Sequence, residues 1–102
     1  MISDNIRSVK ERIKSAALRI GKDPNEITLV CVTKDRDIQE IEEAISFGIT
    51  DIGENRVQEA EAKYRIIGKR LKWHFVGHLQ TNKVKEAVKI FDLIHSVDSL
   101  HL

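Results

Sequence analysis

The chain has 102 residues, 41% of them hydrophobic and 32% charged, and its 17 basic and 16 acidic side chains leave a formal charge of +1. That profile fits one ordinary soluble domain and carries no electrostatic footprint for nucleic acid or an anionic membrane. No apolar run approaches the ~20 residues of a membrane helix. The single cysteine, Cys31, allows no internal disulfide, so a reducing, cytoplasmic setting is expected.

In chain order, Ile6, Val9, Ile13, Ala16, Ala17 and Ile20 recur at three- and four-residue spacing. They predict a first helix with Ser3 or Asp4 as cap and Gly21 and Pro24 as its stop. Thr28-Leu29-Val30-Cys31-Val32-Thr33 is β-branched and apolar on both faces, as in a strand buried on both sides, and Lys34 terminates it. A second helix is expected from Asp37, which with Glu40 resembles a capping box; Ile38, Ile41, Ala44 and Ile45 make its apolar stripe and Gly48 its stop. Thr50-Asp51-Ile52-Gly53 reads as a strand leading through Asn55, expected as a helix cap, into a helix with Val57, Ala60, Tyr64 and Ile67 that stops at Gly68. Trp73-His74-Phe75-Val76-Gly77 leads into a fourth helix with Val84, Ala87, Val88 and Phe91, and Leu93-Ile94-His95-Ser96-Val97 makes a fourth strand.

The strands start at residues 28, 50, 73 and 93, one unit every 20 to 23 residues, which is the length of a strand, a helix and two short loops. Such alternation implies a parallel sheet, since parallel neighbours need crossovers. Function then belongs at the C-terminal ends of the strands. The candidates there are Lys34, Glu54 and Asn55, Gly77 and His78, and Ser96 and Asp98. Lys34, on the face of Val30 and Val32, is expected to be partly desolvated; that disfavours its ammonium form and suits attack on an aldehyde. His74 and His78 share a face of an extended segment but lie roughly 13 Å apart, too far for one metal ion. Lys69, Arg70 and Lys72 read as a solvated loop, and Cys31 as a small buried hydrophobe facing the helix layer.

Four strings stand in order at the strand ends: Val32-Thr33-Lys34; Gly53-Glu54-Asn55-Arg56-Val57-Gln58-Glu59; Trp73-His74-Phe75-Val76-Gly77-His78-Leu79-Gln80-Thr81-Asn82-Lys83; and His95-Ser96-Val97-Asp98-Ser99. Together they resemble the pyridoxal-phosphate homeostasis proteins, relatives of the N-terminal barrel of alanine racemase, over essentially the whole chain. The resemblance implies a (β/α) barrel whose first-strand lysine, here Lys34, holds pyridoxal phosphate as a Schiff base, with Asn55 and His74 in the cofactor pocket. It implies cofactor buffering and delivery without a settled catalytic reaction. Two departures bear on this. The family usually reads Ser-Lys-Thr-Lys-Pro where this chain has Thr33-Lys34-Asp35-Arg36-Asp37. A whole barrel needs ~250 residues, or at least ~200, whereas four strands are half of eight.

The expectation is therefore a single partial barrel domain over residues 1–102: parallel βα repeats forming about half of a TIM-type barrel, preceded by an N-terminal helix. The family's Ser- and Gly-rich phosphate motif belongs to the absent C-terminal half, so cofactor affinity of this chain alone is expected to be weak. An inner face bearing Val30, Val32, His74 and Val76 is expected to face solvent unless a second copy, a complementing C-terminal half or the rest of a longer protein covers it. The end just after Leu102 favours a fragment, and self-association is expected. Two other functions remain in view: a fragment of a racemase- or decarboxylase-like enzyme, for which no acid or base beside the lysine can be placed, and a cofactor-free half-barrel interaction module.

Overall fold

The computed structural model describes residues 2–95, with side chains from residue 4 onward. Eight principal elements follow one another: α1 (Ile2–Arg19), β1 (Val30–Val32), α2 (Ile38–Ser46), β2 (Asp51–Glu54), α3 (Val57–Ile67), β3 (Lys72–Phe75), α4 (Val84–Ile90) and β4 (Leu93–Ile94). The strands form one sheet in the order β1-β2-β3-β4, every pair parallel, with Val30 opposite Asp51, Gly53 opposite His74 and His74 opposite Leu93. Sequential, all-parallel order with a helix in each crossover is the wall of a TIM-type barrel. Four βα units make about half of one, with α1 added in front.

Local signals explain where the helices start and stop. Asp37 caps α2 through the Glu40 amide at 2.8 Å while the Glu40 carboxylate accepts from the Asp37 amide at 3.3 Å, the reciprocal pairing expected of Asp37 and Glu40. Gly68, at φ 63°, ends α3 in a region that an L side chain seldom enters. α1 already runs from Ile2, so Ser3 and Asp4, expected as its cap, fall inside the helix, Asp4 in its first turn. Nor does Asn55 cap α3: the N-cap position falls on Arg56, whose side chain makes no capping bond.

The core lies between the sheet and the helices. Ile52, Trp73 and Phe75 point into it and meet Ile41, Ala44, Ala60, Ile67, Ala87 and Phe91. Cys31 packs against the same cluster, and burial pushes its thiol pKa up, so the reading of it as a small hydrophobe stands. On α4 the inward residue is Ile90 rather than Val88, which is exposed. The opposite, inner face is partly open. Val32 is 50% exposed, so β1 is not buried on both sides as its composition suggested. His74, however, is only 4% exposed, contrary to the expectation that it faces solvent; Asp51, on β2, and His95, just after β4, enclose its ring.

Candidate functional site

β1 stops at Val32, and Thr33 to Arg36 make a tight turn closed by the Arg36 amide donating to the Thr33 carbonyl at 3.0 Å. Asp35 takes φ 61° at its third position, where Gly or Asn is usual. Lys34 occupies the second position, the outward corner. It is exposed, so the expected partial desolvation is absent: the turn carries it off the strand. Its amine has no hydrogen-bond partner among the described residues.

The corner itself is held firmly. The Thr33 amide donates to the Gly53 carbonyl at 2.9 Å and the Thr33 hydroxyl donates to the Glu54 carboxylate. The Lys63 ammonium donates to the Thr33 carbonyl at 2.7 Å, to Glu54 Oε2 at 2.9 Å and to Glu59 Oε1 at 3.5 Å. Beyond the lysine, the Asp35 amide donates to Glu59 Oε1 at 2.9 Å. Both neighbours of Lys34 are thus tied to one cluster of β2 and α3, in which Glu54 is fully buried and Lys63 nearly so. Buried charges persist only when paired and hydrogen-bonded, and here pairing also fixes a turn.

Asn55 follows β2. Its Oδ1 is buried and has no hydrogen-bond partner. Since a capping role is excluded, this acceptor is unaccounted for within the described residues. Gly77, after β3, passes so close that a Cβ there would stand 2.8 Å from the Asn55 Cβ, which explains glycine at this position. A cleft of about 470 Å³ opens beside them, with Arg56, His78 and Lys83 among its walls. A larger cleft of about 700 Å³ lies around Thr50, Leu71 and Lys72, at the N-terminal ends of the strands, away from the end where parallel sheets place their chemistry.

His74 sits on the inner face. Its Nε2 lies 2.7 Å from Asp51 Oδ2 and its Nδ1 2.6 Å from His95 Nε2. The Thr50 hydroxyl donates to Asp51 Oδ1 at 2.6 Å. Burial pushes the Asp51 pKa up, but hydrogen bonds from Thr50 and His74 and the charges of His74 and Lys72 outweigh it, and the net shift is down. A folded pKa below the unfolded ~3.9 stabilises fully above that value and is lost as pH falls through the folded one. Thermal melts from pH 5 to pH 2 are expected to fall more steeply for the unaltered chain than for Asp51→Asn; parallel curves would refute this.

Of the expected site residues, Asn55 and His74 lie at or below the C-terminal ends of adjacent strands and Lys34 at the sheet's β1 edge; Ser96 and Asp98 lie outside the described residues. Asp51, Glu59 and Lys63 were not anticipated as site residues. Lys63 had one sequence signal, a charge between Ala60 and Ile67 on the buried stripe of α3.

Comparison with known proteins bears on the whole span. No family model matches the chain. It is 40% identical over 107 residues to the "pyridoxal phosphate homeostasis protein" of Escherichia coli, and 38% identical over 102 residues to the protein so named in Pseudomonas aeruginosa, each alignment covering 99% of the chain. Both alignments run along nearly the whole of this chain. It spans about 45% of the length of those curated relatives. Among solved structures, PipY of Synechococcus elongatus with PLP bound superposes at TM-score 0.72 with 38% identity, covering 99% of the chain and 44% of PipY. An unknown protein from Bifidobacterium adolescentis superposes at 0.85 with 36% identity, covering 98% of the chain and 46% of that protein. Among the described residues no helix is long and apolar enough to cross a membrane.

Proposed function

We propose that this chain is the cofactor-holding part of a non-catalytic pyridoxal-phosphate homeostasis protein, with Lys34 as the covalent anchor and Asn55 and His74 in the pocket. The observation that carries the reading is the anchoring of Thr33 and Asp35 on both sides of a lysine whose amine has no partner among the described residues. A surface lysine with no task needs no buried Glu54–Lys63 pair beneath it. The unpartnered Asn55 Oδ1 supports a ligand contact nearby, and the family's name and the PLP-bound state of PipY support the identity of that ligand. Pyridoxal phosphate would supply an aldehyde there, and Lys34 would be the residue that holds it through its amine. No Gly-rich anion loop is present in the sequence, so weak affinity is proposed for this chain alone.

The open inner face calls for a cover. A second copy or a chain supplying the complementary strands is proposed as partner, since Val32 and Leu93 are exposed on the two edge strands. The same exposure favours a second reading, a cofactor-free interaction module. One experiment separates them: incubation with pyridoxal phosphate, borohydride reduction and peptide mass mapping. Label on Lys34, lost in Lys34→Arg, is the expected result. An unlabelled Lys34 in the unaltered chain overturns the cofactor reading.

A further inference from the structure

We infer that Asp51, His74 and His95 form a proton relay along the inner face, which presents Nδ1 of His95 at the C-terminal mouth of the sheet as the proton acceptor for a bound small molecule with an ionisable ring nitrogen or hydroxyl. The inference deepens the proposed function, since it rests on reading that mouth as the ligand end.

The geometry is specific. The rings of His74 and His95 have centroids 4.9 Å apart and planes within 16° of each other, with Nδ1 and Nε2 at 2.6 Å. Face-to-face rings keep their atoms at van der Waals separation, ~3.5 Å, and cannot bring two nitrogens so close. The rings therefore meet edge to edge, nearly coplanar, joined by an N–H···N bond. Asp51 contributes only acceptors while ionised, so a neutral His74 must carry its proton on Nε2 and leave Nδ1 bare. His95 must then donate from Nε2. A neutral His95 holding its proton there has only Nδ1 left to accept another. Each tautomer is dictated by the previous link, and the first link is a carboxylate whose pKa is lowered by Thr50, His74 and Lys72.

The direction of the chain matters as much as its chemistry. Asp51 opens β2, His74 lies within β3 opposite Gly53, and His95 follows the last residue of β4, so the three climb from the N-terminal end of the sheet to its mouth. Asp51 and His74 are buried and His95 is exposed, which leaves one open terminus. A proton taken up at His95 Nδ1 is matched by transfer of the His95 Nε2 proton to His74 Nδ1. The result is an imidazolium at His74 against the Asp51 carboxylate and a neutral His95 with its proton on Nδ1. The net charge of the three groups goes from −1 to 0 and Asp51 stays ionised. For this proton His74 and Asp51 act as positioning residues, and of the three groups His95 is the one that accepts it from the ligand.

The test needs no ligand, so its failure is separable from failure of Lys34 labelling. In the chain labelled with ¹⁵N-histidine, at a pH where the imidazoles are neutral, His74 is expected with a protonated Nε2 and a bare Nδ1. A through-bond coupling is expected between His74 Nδ1 and His95 Nε2, lost in His95→Gln. In Asp51→Asn the amide oxygen keeps the Thr50 hydroxyl and the amide nitrogen turns to His74, which accepts at Nε2 and moves its proton to Nδ1. The protonated and bare resonances of His74 are then expected to change places. A His74 protonated on Nδ1 in the unaltered chain, absence of the coupling, or an unchanged tautomer in a folded Asp51→Asn overturns the relay; the first two readings hold even if Asp51→Asn does not fold.

Discussion

Replacing Lys63 with methionine is expected to cost about 3–5 kcal/mol of folding stability, read as a lowered urea midpoint, because it strips from a fully buried carboxylate the one cation paired with it among the described residues. Glu54 Oε1 already lacks a partner, and Oε2 would keep only the Thr33 hydroxyl. The Thr33 carbonyl loses its ammonium donor in the same step. Removing both charges in Lys63→Met with Glu54→Leu is expected to recover most of the loss, since a buried pair replaced by packed apolar groups is often neutral. Lys34 should not recover with it. Its preceding carbonyl would still lack the Lys63 anchor, so borohydride labelling is expected to stay low in the double variant although the fold is restored. A single variant costing less than about 1 kcal/mol would show that Glu54 is not charged and buried as described. Full labelling in the double variant would show that the cluster serves the fold alone.

The elements of this fold were legible because each obeys a local rule. Period-two and near-four patterns placed four strands and four helices, the Asp37–Glu40 box and Gly68 marked boundaries, and alternation alone implied the parallel sheet. The failures share a cause. Lys34 was placed on a strand face, yet the chain turns after Val32, because Asp35 adopts a backbone conformation that its residue type does not announce. Asn55 was read as a cap from its identity, but the helix starts one residue later and the side chain is left for another partner. Its place on the inner face predicts an exposed His74, but Asp51 and His95 cover it. Those three residues lie 23 and 21 positions apart in sequence, and only the register of three strands brings them together. Networks that cross strands are set by pairing, which periodicity does not reveal.

Trp73→Ala is expected to be the most costly change in the hydrophobic core, about 3–5 kcal/mol, and to spare the opposite face of the same strand. The indole is 1% exposed, donates through Nε1 to the Gly68 carbonyl at 2.8 Å and meets the Tyr64 ring edge-on at 5.3 Å. Its loss leaves a cavity against α3 and an unpaired carbonyl at the end of that helix. The main chain of Trp73 acts on the other side of the problem. Its amide donates to Asp92 Oδ2 and its carbonyl accepts from the Asp92 amide, each at 2.8 Å. Those bonds align β4 against β3, and with it His95 against His74, and truncating the side chain removes neither. The folded fraction of Trp73→Ala is therefore expected to keep the His74–His95 coupling while its urea midpoint falls sharply. Loss of that coupling in a variant still folded by circular dichroism would mean that the helix layer, not strand pairing, sets the inner face.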